Sequence, residues 1–324
     1  MLVNNRAPEA LVSVIIPTYN RPAFLKEAIQ SAVRQTYKNI EIVVSDNCSP
    51  ENPQEIVEDF QDPRIRFWRN AVNLGMFANV INAFKMAQGK YVATLLDDDL
   101  WEEDFLEKLV PHLEANSDLA LAFCDHYIVE ADNTINYPGT DRCTQAYKRD
   151  RLKEGVYQPF CKVALIDGSV SSAFAAVIRN NGVDWDEIPP QVGVSWDVYI
   201  NYLCCRSGLG AYYYPARLTR NRIHPQTETM LGGRQDAQAK IRKAKAEIFC
   251  YERFIEDERL QEFKPYFQQK LVQANTSLGI GLLRDKQIEE ARPYFWSALR
   301  QKFNLRTVAA LMLSFTPPQV ASRF

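Results

Sequence analysis

The first half of the chain alternates short apolar runs with segments whose apolar residues recur at helical spacing. The runs at residues 11–16, 39–45, 64–68 and 91–96 are rich in β-branched and aromatic side chains and predict buried strands. Between the first two runs, a helical stripe predicts an amphipathic helix that begins at Pro22 and carries Leu25, Ala28, Ile29, Ala32 and Val33. This alternation predicts a mostly parallel sheet with helices on both faces.

Later segments continue the pattern less regularly. Asn52, Pro53 and Glu55 have the spacing of a capping box and predict a helix start. Gly89 is expected to end a helix that carries the stripe Phe77, Val80, Ile81 and Phe84. Residues 118–125 and 210–215 predict strands, 195–208 predict a helix, and 133–160, which lack periodicity, predict a long loop. Beyond a joint near Gly232 the pattern is helical, so we expect domains at residues 1–231 and 232–324.

The composition is that of an ordinary globular protein. Of the 324 residues, 46% are hydrophobic and 24% are charged, and the formal net charge of -2 offers no basic excess for nucleic acid. The seven cysteines form no CxxC pair and predict reduced thiols that fill small core positions. No run reaches the ~18 to 20 apolar residues of a membrane span. We therefore expect a soluble, cytoplasmic protein.

Three consecutive aspartates, Asp97, Asp98 and Asp99, follow the strand predicted at residues 91–96. In a parallel sheet, ligands bind beyond the carboxyl ends of the strands, where these acids would meet the polar turns at residues 17–20 and 45–49. Adjacent carboxylates repel one another, and a divalent cation that also binds substrate phosphates would relieve the repulsion. The acids could equally open a solvated helix, because the helix dipole favours acids in the first turn.

Five segments together resemble the inverting glycosyltransferases of family 2, which have the GT-A fold. These segments are VSVIIPTYNRPAFLKEAIQSAVRQTY, IEIVVSDNCSPEN, NLGMFANVINAFKMAQGKYVATLLDDDLW, SWDVYINYLCCRSG and RIHPQTE. The resemblance covers residues 11–227 and leaves a C-terminal helical extension. It implies a sugar transferred from a nucleoside diphosphate donor to a hydroxyl of a glycan or lipid-linked acceptor, in cell-surface polysaccharide or O-antigen assembly.

The resemblance also implies roles for single residues. The nucleotide-sugar site would comprise Pro17, Thr18, Tyr19, Arg21, Asp46, Asn47, Asn73, Gly75, Asp97, Asp98 and Arg222. A Mn²⁺ or Mg²⁺ ion would be held by Asp98, Asp99 and His224, and Asp197 would be the catalytic base. Two positions depart from the family pattern. Asn47 stands where a second acid is common, and Trp196 replaces the acid that usually precedes the base.

Other interpretations stay open at this stage. Trp101, Asp125, Trp185 and Trp196 could line an acceptor cleft or simply pack in the core. The helices after residue 232 could contact the acceptor, lie against the inner face of a membrane or join copies of the chain. A non-catalytic binder of nucleotide sugars or glycans is the first alternative function. A sugar nucleotidyltransferase would need a glycine-rich loop after the first strand, and a dehydrogenase would need GxGxxG there, and neither is present.

Overall fold

The computed structural model describes residues 9–224 and 236–316, which divide into two compact units. The first unit comprises the residues up to 188 together with 200–223, and the second comprises 189–199 together with those from 224 onwards. Gly232, where we expected the domain boundary, lies outside the described residues.

A mixed sheet forms the centre of the first unit. Its nine strands within the described ranges are β1 (Val12–Thr18), β2 (Ile40–Asp46), β3 (Ile65–Arg69), β4 (Tyr91–Thr94), β5 (Leu100–Trp101), β6 (Leu119–Val129), β7 (Gly155–Tyr157), β8 (Ala176–Arg179) and β9 (Gly210–Arg222). They lie in the order β3-β2-β1-β4-β8-β6-β9-β5, with β7 paired to β9. The strands β1 to β4 pair in parallel, as expected, whereas β8 lies antiparallel between β4 and β6.

Helices cover both faces of this sheet. They are α1 (Pro22–Val33), α2 (Gln54–Glu58), α3 (Met76–Lys85), α4 (Phe105–Ala115), α5 (Tyr137–Ala146) and α6 (Trp196–Arg206), and α6 begins in the second unit. The apolar faces of α1 and α4 pack with Val12, Val14 and Ile16 of β1 in one core. On the opposite face, the Ser45 hydroxyl of β2 donates to Asn79 Oδ1 of α3 at 2.7 Å. Successive side chains of a strand point to opposite faces of the sheet, so every second residue of a strand packs against the helices on the same face.

Two local predictions in this unit are wrong. The capping box at Asn52 does not form, because α2 begins at Gln54 with Pro53 at its cap position, and Asn52 Oδ1 accepts only from the Gln54 N–H, at 3.1 Å. The helix α3 ends at Lys85, well before Gly89. A Cβ atom at Gly89 would lie 2.7 Å from the backbone nitrogen of Ser13, so this glycine permits a close approach to β1 instead.

The long loop predicted at residues 133–160 is also wrong, because this stretch contains α5 and β7. Only two residues of α5, Thr140 and Thr144, are buried, and both are polar. A helix that buries threonines shows no apolar stripe, so its sequence lacks the signal on which helix prediction depends.

The second unit is helical, as expected. It contains α7 (Ala237–Glu256), α8 (Lys264–Arg284), α9 (Ile288–Gln301) and α10 (Leu305–Leu313), whose core includes Ile241, Leu278, Leu282, Phe295 and Leu311. Residues 189–199 pack on α7: a Cβ at Gly193 would lie 3.6 Å from that of Ala246, and the rings of Tyr199 and Phe249 are 6.4 Å apart. None of the helices in the described ranges combines the length and apolarity that a bilayer crossing requires.

Candidate functional site

The ends of β1 and β4 bring the first aspartate into contact with the turn after β1. Thr18, the last residue of β1, donates its hydroxyl to Asp97 Oδ2 at 2.8 Å, and the backbone N–H of Tyr19 donates to the same oxygen at 3.4 Å. β1 and β4 pair in parallel, so their carboxyl ends lie side by side. The end of β2 lies on the other side of β1, where the Asn20 N–H donates to Ser49 Oγ at 2.8 Å, so the structure joins all three strand ends that the sequence placed at one site.

The three aspartates are held by separate partners. Arg21 Nη1 donates to Asp97 Oδ1 at 3.0 Å and to Asp98 Oδ2 at 2.8 Å, so one guanidinium neutralises part of the charge of both. Asp99 Oδ1 accepts from Asn221 Nδ2 at 3.0 Å and from the Arg222 N–H at 2.9 Å. All three acids are buried, and β5 follows them, with α4 beginning only at Phe105. The alternative of a solvated helix start is therefore wrong.

Burial changes the proton affinity of these acids. Burial and the neighbouring Asp98 raise the pKa of Asp97 to about 6, against the opposing effect of Arg21. The same two causes raise the pKa of Asp99 well above its usual value, although the Arg222 N–H opposes them. Shifts of this kind, caused by burial and a like charge, are frequent at functional sites.

One oxygen of the acidic group is available to a ligand. Asp99 Oδ2 is buried and has no hydrogen-bond partner among the described residues. A buried carboxylate oxygen without a partner fits a hard divalent cation, which prefers oxygen ligands. The described ranges contain no group of three or more histidine, cysteine, aspartate or glutamate side chains arranged to hold a metal. The remaining ligands of such a cation would therefore come from substrate phosphates and water.

Asp46, at the end of β2, is held by two residues that the sequence analysis missed. Its carboxylate accepts from the backbone N–H of Ser49 at 3.1 and 3.2 Å and from the Ser49 hydroxyl. Arg69 Nη1 donates to Asp46 Oδ2 at 2.6 Å and Nη2 donates to the Ser49 carbonyl at 2.7 Å. Arg69 is the last residue of β3, so its position at a strand end was the signal that could have identified it.

Asn47 organises the turn before α3. Its Nδ2 donates to Asn73 Oδ1 at 2.9 Å, and its Oδ1 accepts from the Leu74 N–H at 2.9 Å. The Gly75 N–H donates to Asn73 Oδ1 at 2.8 Å, and Gly75 has φ 82°, a conformation that favours glycine. The structure thus brings Asn47, Asn73 and Gly75 together. Beneath them, buried Asn79 accepts from Asn70 Nδ2 at 2.8 Å.

Arg222, at the end of β9, is buried beside the acidic group. Its Nε donates to the Asp98 carbonyl at 2.8 Å, its Nη2 donates to Glu27 Oε2 at 2.7 Å, and its guanidinium lies 4.5 Å from the centre of the Phe24 ring. These contacts tie the backbone after β4 to α1. Glu27 was not expected at the site, and a glutamate on a helix carries no local signal of such a role.

The other two expected site residues belong to the second unit. Asp197 lies in the first turn of α6 and is partly exposed, and burial raises the pKa of its carboxyl while Lys243 opposes the shift. His224 is buried.

The residues considered for an acceptor cleft are buried in specific contacts. Trp101 Nε1 donates to the Phe174 carbonyl at 2.9 Å. Trp185 stacks on Phe84 with ring centres 4.1 Å apart and lines a cavity of about 570 Å³, while Trp196 is 3% exposed. Asp125 accepts from Arg149 Nε at 2.6 Å and from the Thr144 hydroxyl at 2.8 Å. Packing accounts for each of them without an acceptor.

Comparison with known proteins identifies the domain that carries the aspartates. The model of the family "Glycosyl transferase family 2" matches residues 13–168. An uncharacterised glycosyltransferase of Methanocaldococcus jannaschii is 40% identical over 129 residues, which are 39% of this chain and 44% of that protein. The Escherichia coli protein WfgD, a UDP-Glc:alpha-D-GlcNAc-diphosphoundecaprenol beta-1,3-glucosyltransferase, is 35% identical over 125 residues, 39% of this chain and 49% of its own length. The chain thus spans less than half the length of these relatives.

Solved structures with a similar fold cover nearly the whole chain. S. aureus TarS 1–349 in complex with UDP-GlcNAc has a TM-score of 0.65 and 14% identity, over 96% of this chain and 88% of its own. The mannosyltransferase PcManGT from Pyrobaculum calidifontis, in complex with GDP-Man and Mn²⁺, has a TM-score of 0.56 and 18% identity, over 96% and 83%. These likenesses establish a GT-A fold followed by a helical region. The family match, which includes the strand ends and all three aspartates, identifies residues 13–168 as a glycosyl transferase family 2 domain.

Proposed function

We propose that this protein is an inverting, divalent-metal-dependent glycosyltransferase that moves a sugar from a nucleotide-sugar donor to a hydroxyl acceptor. The observation that carries the proposal is the acidic group beyond β4, where Thr18, Tyr19 and Arg21 contact Asp97 and Asp98 and a buried oxygen of Asp99 has no partner among the described residues. This arrangement suits a ligand that brings phosphates and a cation together.

The donor nucleotide would lie over the ends of β1 and β2. Tyr19 is 44% exposed, so its ring is available to stack on a base. The carboxylate of Asp46 is fixed by Ser49 and Arg69, and the turn at Asn73 and Gly75 is fixed by Asn47. A site whose polar groups are already in place loses less entropy on binding. TarS and PcManGT, which share the fold, were solved with UDP-GlcNAc and GDP-Man, and this supports a nucleotide-sugar donor.

The residues present fit a Mn²⁺ or Mg²⁺ ion. Asp98 and Asp99 would supply carboxylate oxygens beside substrate phosphates and water, and His224 stays a predicted further ligand, since a neutral imidazole nitrogen can bind a metal ion. When bound, the cation neutralises charge that develops on the diphosphate leaving group. Arg21 provides a second positive charge, because its guanidinium already contacts both Asp97 and Asp98.

Asp197 would take the proton from the acceptor hydroxyl. Burial raises the pKa of this carboxyl, which makes the carboxylate a stronger base than a solvated aspartate. With the base on the acceptor side, the hydroxyl oxygen attacks the anomeric carbon from the face opposite the nucleotide, and the C–O bond to the diphosphate breaks. The configuration at that carbon is therefore inverted.

The acceptor would be a glycan or a lipid-linked sugar, in cell-surface polysaccharide assembly. The name of WfgD gives it a diphosphoundecaprenol-linked acceptor, and this supports the proposal for the present chain. A lipid-linked acceptor would place the enzyme at the inner face of the membrane.

Thermal denaturation of the full chain with UDP, GDP, dTDP and CDP, each with and without Mn²⁺, tests the site. A ligand that binds only the folded state at a hundred times its Kd stabilises it by about 2.7 kcal/mol. We expect one nucleotide to raise Tm, and to do so only with Mn²⁺. Asp99→Asn should remove the metal-dependent shift, and Asp118→Asn, at an exposed position, is the control.

Asp197→Asn separates binding from catalysis. It should keep the Tm shift of the parent and lose sugar transfer, because an amide cannot take the proton. Transfer at the parent rate in Asp197→Asn would show that another group is the base. No shift with any nucleotide would instead favour a non-catalytic protein.

A further inference from the structure

The segment from α9 to α10 exposes large apolar side chains. Phe303 and Leu305 are 71% and 75% exposed, and Met312 and Phe315 are 66% and 64% exposed. These four residues and the exposed Ala309 are called here the α10 surface. Single exposed apolar residues are common in soluble proteins, but five within 13 positions of one loop and helix are typical of an interaction site.

The exposed apolar positions within α10 lie on one face of the helix. The residues that α10 buries are Thr307, Ala310 and Leu311. Leu305, Ala309 and Met312 are spaced by four and three residues, so they share the opposite face of the helix. Arg306 is the one charged residue among the nine of α10. A helix that is apolar on both faces is normally covered on both.

The charges around this surface are mainly positive. From residue 291 to residue 324 the sequence contains five arginines and lysines and no aspartate or glutamate. Arg292 pairs with Glu289, at 2.9 Å, and lies 4.4 Å from the Phe315 ring. Arg300, Lys302 and Arg306 form no ion pair within the described ranges and are exposed. An occupant of the α10 surface must therefore be apolar and negatively charged.

Cations of neighbouring helices add to the positive charge around the α10 surface. Lys240, near the start of α7, has its pKa lowered by burial and then by Arg284, Arg306 and Lys243, against the opposing effect of Glu247. The start of α10 thus lies in a cluster of positive charge contributed by three helices. Like charges at this density repel one another, and an anionic partner would relieve the repulsion.

We infer that the α10 surface binds anionic lipid at a membrane surface, with Phe303, Leu305 and Met312 in the acyl boundary and Arg300, Lys302 and Arg306 on the headgroups. A second copy of the chain would bring two cationic sets together, so self-association is the less favourable way to cover this surface. An interfacial segment with aromatic and aliphatic side chains on one side and arginine or lysine beside them is the usual form of such contacts. The inference depends on the second unit alone and not on the proposed catalytic function.

Co-sedimentation of the full chain with vesicles tests this inference without donor, metal or acceptor. We expect binding to phosphatidylcholine vesicles that contain phosphatidylglycerol, and little binding to phosphatidylcholine alone. Each basic residue near an anionic surface strengthens binding about fivefold, so the variant R300Q/K302Q/R306Q should bind about a hundredfold more weakly. The variant F303S/L305S/M312S should also lose binding, because it removes the apolar contact.

Matched variants control for charge and for surface polarity. K108Q/R142Q/K153Q removes the same net charge at exposed positions of the first unit, and Val156→Ser removes a half-exposed apolar side chain there. Both should bind like the parent. Equal binding of the parent to both vesicle types would overturn the inference. A concentration-dependent dimer that F303S/L305S/M312S dissociates, without vesicle binding by the parent, would also overturn it.

Discussion

Replacing Arg149 with methionine should destabilise the first unit strongly. The side chain of Arg149 is fully buried, and its Nε donates to Asp125 Oδ1 at 2.6 Å. Its Nη2 lies 3.4 Å from both His126 Nε2 and Cys143 Sγ. Methionine fills a similar volume without charge, so the cavity that it leaves is small and the main effect is electrostatic.

The size of the destabilisation depends on the contacts that the Asp125 carboxylate retains. After the change, the carboxylate retains the Thr144 hydroxyl at 2.8 Å and its backbone bond to His126, and Arg217 Nε lies 3.6 Å away with 27% of its side chain exposed. Breaking a buried ion pair from one side costs about 3 to 5 kcal/mol. We expect R149M to lower the free energy of unfolding by about 3 kcal/mol, the lower end of this range, because Arg217 remains near the carboxylate. This is a large part of the ~5 to 15 kcal/mol that stabilises a typical domain.

Hydrogen–deuterium exchange of the β6 and β9 amides reports on the first unit by itself. R149M should speed the slowest of these amides by about two orders of magnitude, which corresponds to about 3 kcal/mol. D125N should also be destabilising, because it leaves Arg149 unpaired in the core. R149M/D125N should cost less than the sum of the single changes by at least ~1 kcal/mol, the coupling expected of residues in contact. Additive effects, or a loss below ~1 kcal/mol in R149M, would refute the reasoning.

Three further predictions concern other parts of the fold. Burial, and then Arg149, lower the pKa of His126 to about 3, so below pH ~6.5 the unfolded state binds a proton that the folded state does not. The free energy of unfolding should therefore fall by about 1.4 kcal/mol for each pH unit below ~6.5. Denaturant titrations at several pH values check this, and an equal slope in His126→Gln would contradict it. Gly279→Ala places a methyl group against the Phe295 ring and should cost about 1 to 3 kcal/mol in the second unit, whereas Gly182→Ala, in open space, should be neutral by the same denaturant assay. Asn79→Ala removes the hydrogen bonds beneath the turn at residues 73–75 and should lower stability by about 1 to 3 kcal/mol. It should also weaken nucleotide binding several-fold, as measured by calorimetry. Unchanged affinity would show that the turn holds its shape without Asn79.

The sequence predicted best where local periodicity and burial coincide. The apolar stripe from Leu25 to Ala32 correctly predicted α1, whose buried residues are Leu25, Ala28, Ile29 and Ala32. The apolar runs gave β1, β2, β3 and β4 within a few residues of their observed bounds. The position of Asp97 after β4 was enough to predict its meeting with the turn after β1, because parallel strands have adjacent carboxyl ends.

The sequence predicted least where contacts join distant residues. Glu27 and Arg222 are 195 positions apart, and Arg149 reaches Asp125 across 24 positions and the whole of α5. Neither pair has a local pattern, since an arginine that will be buried looks like one that will be solvated. The antiparallel insertion of β8 between β4 and β6 is non-local in the same way.

The grouping of residues 189–199 with the helices bears on how this protein can be recombined with its relatives. The segment that carries Asp197 packs on α7 through Gly193 and Tyr199, although it precedes α7 by some forty positions in the chain. A chimera that exchanged everything after residue 231 would therefore keep this segment and replace the helix against which it folded. The exchangeable module is discontinuous: a graft that preserves it must carry residues 189–199 together with the C-terminal helices of the same parent.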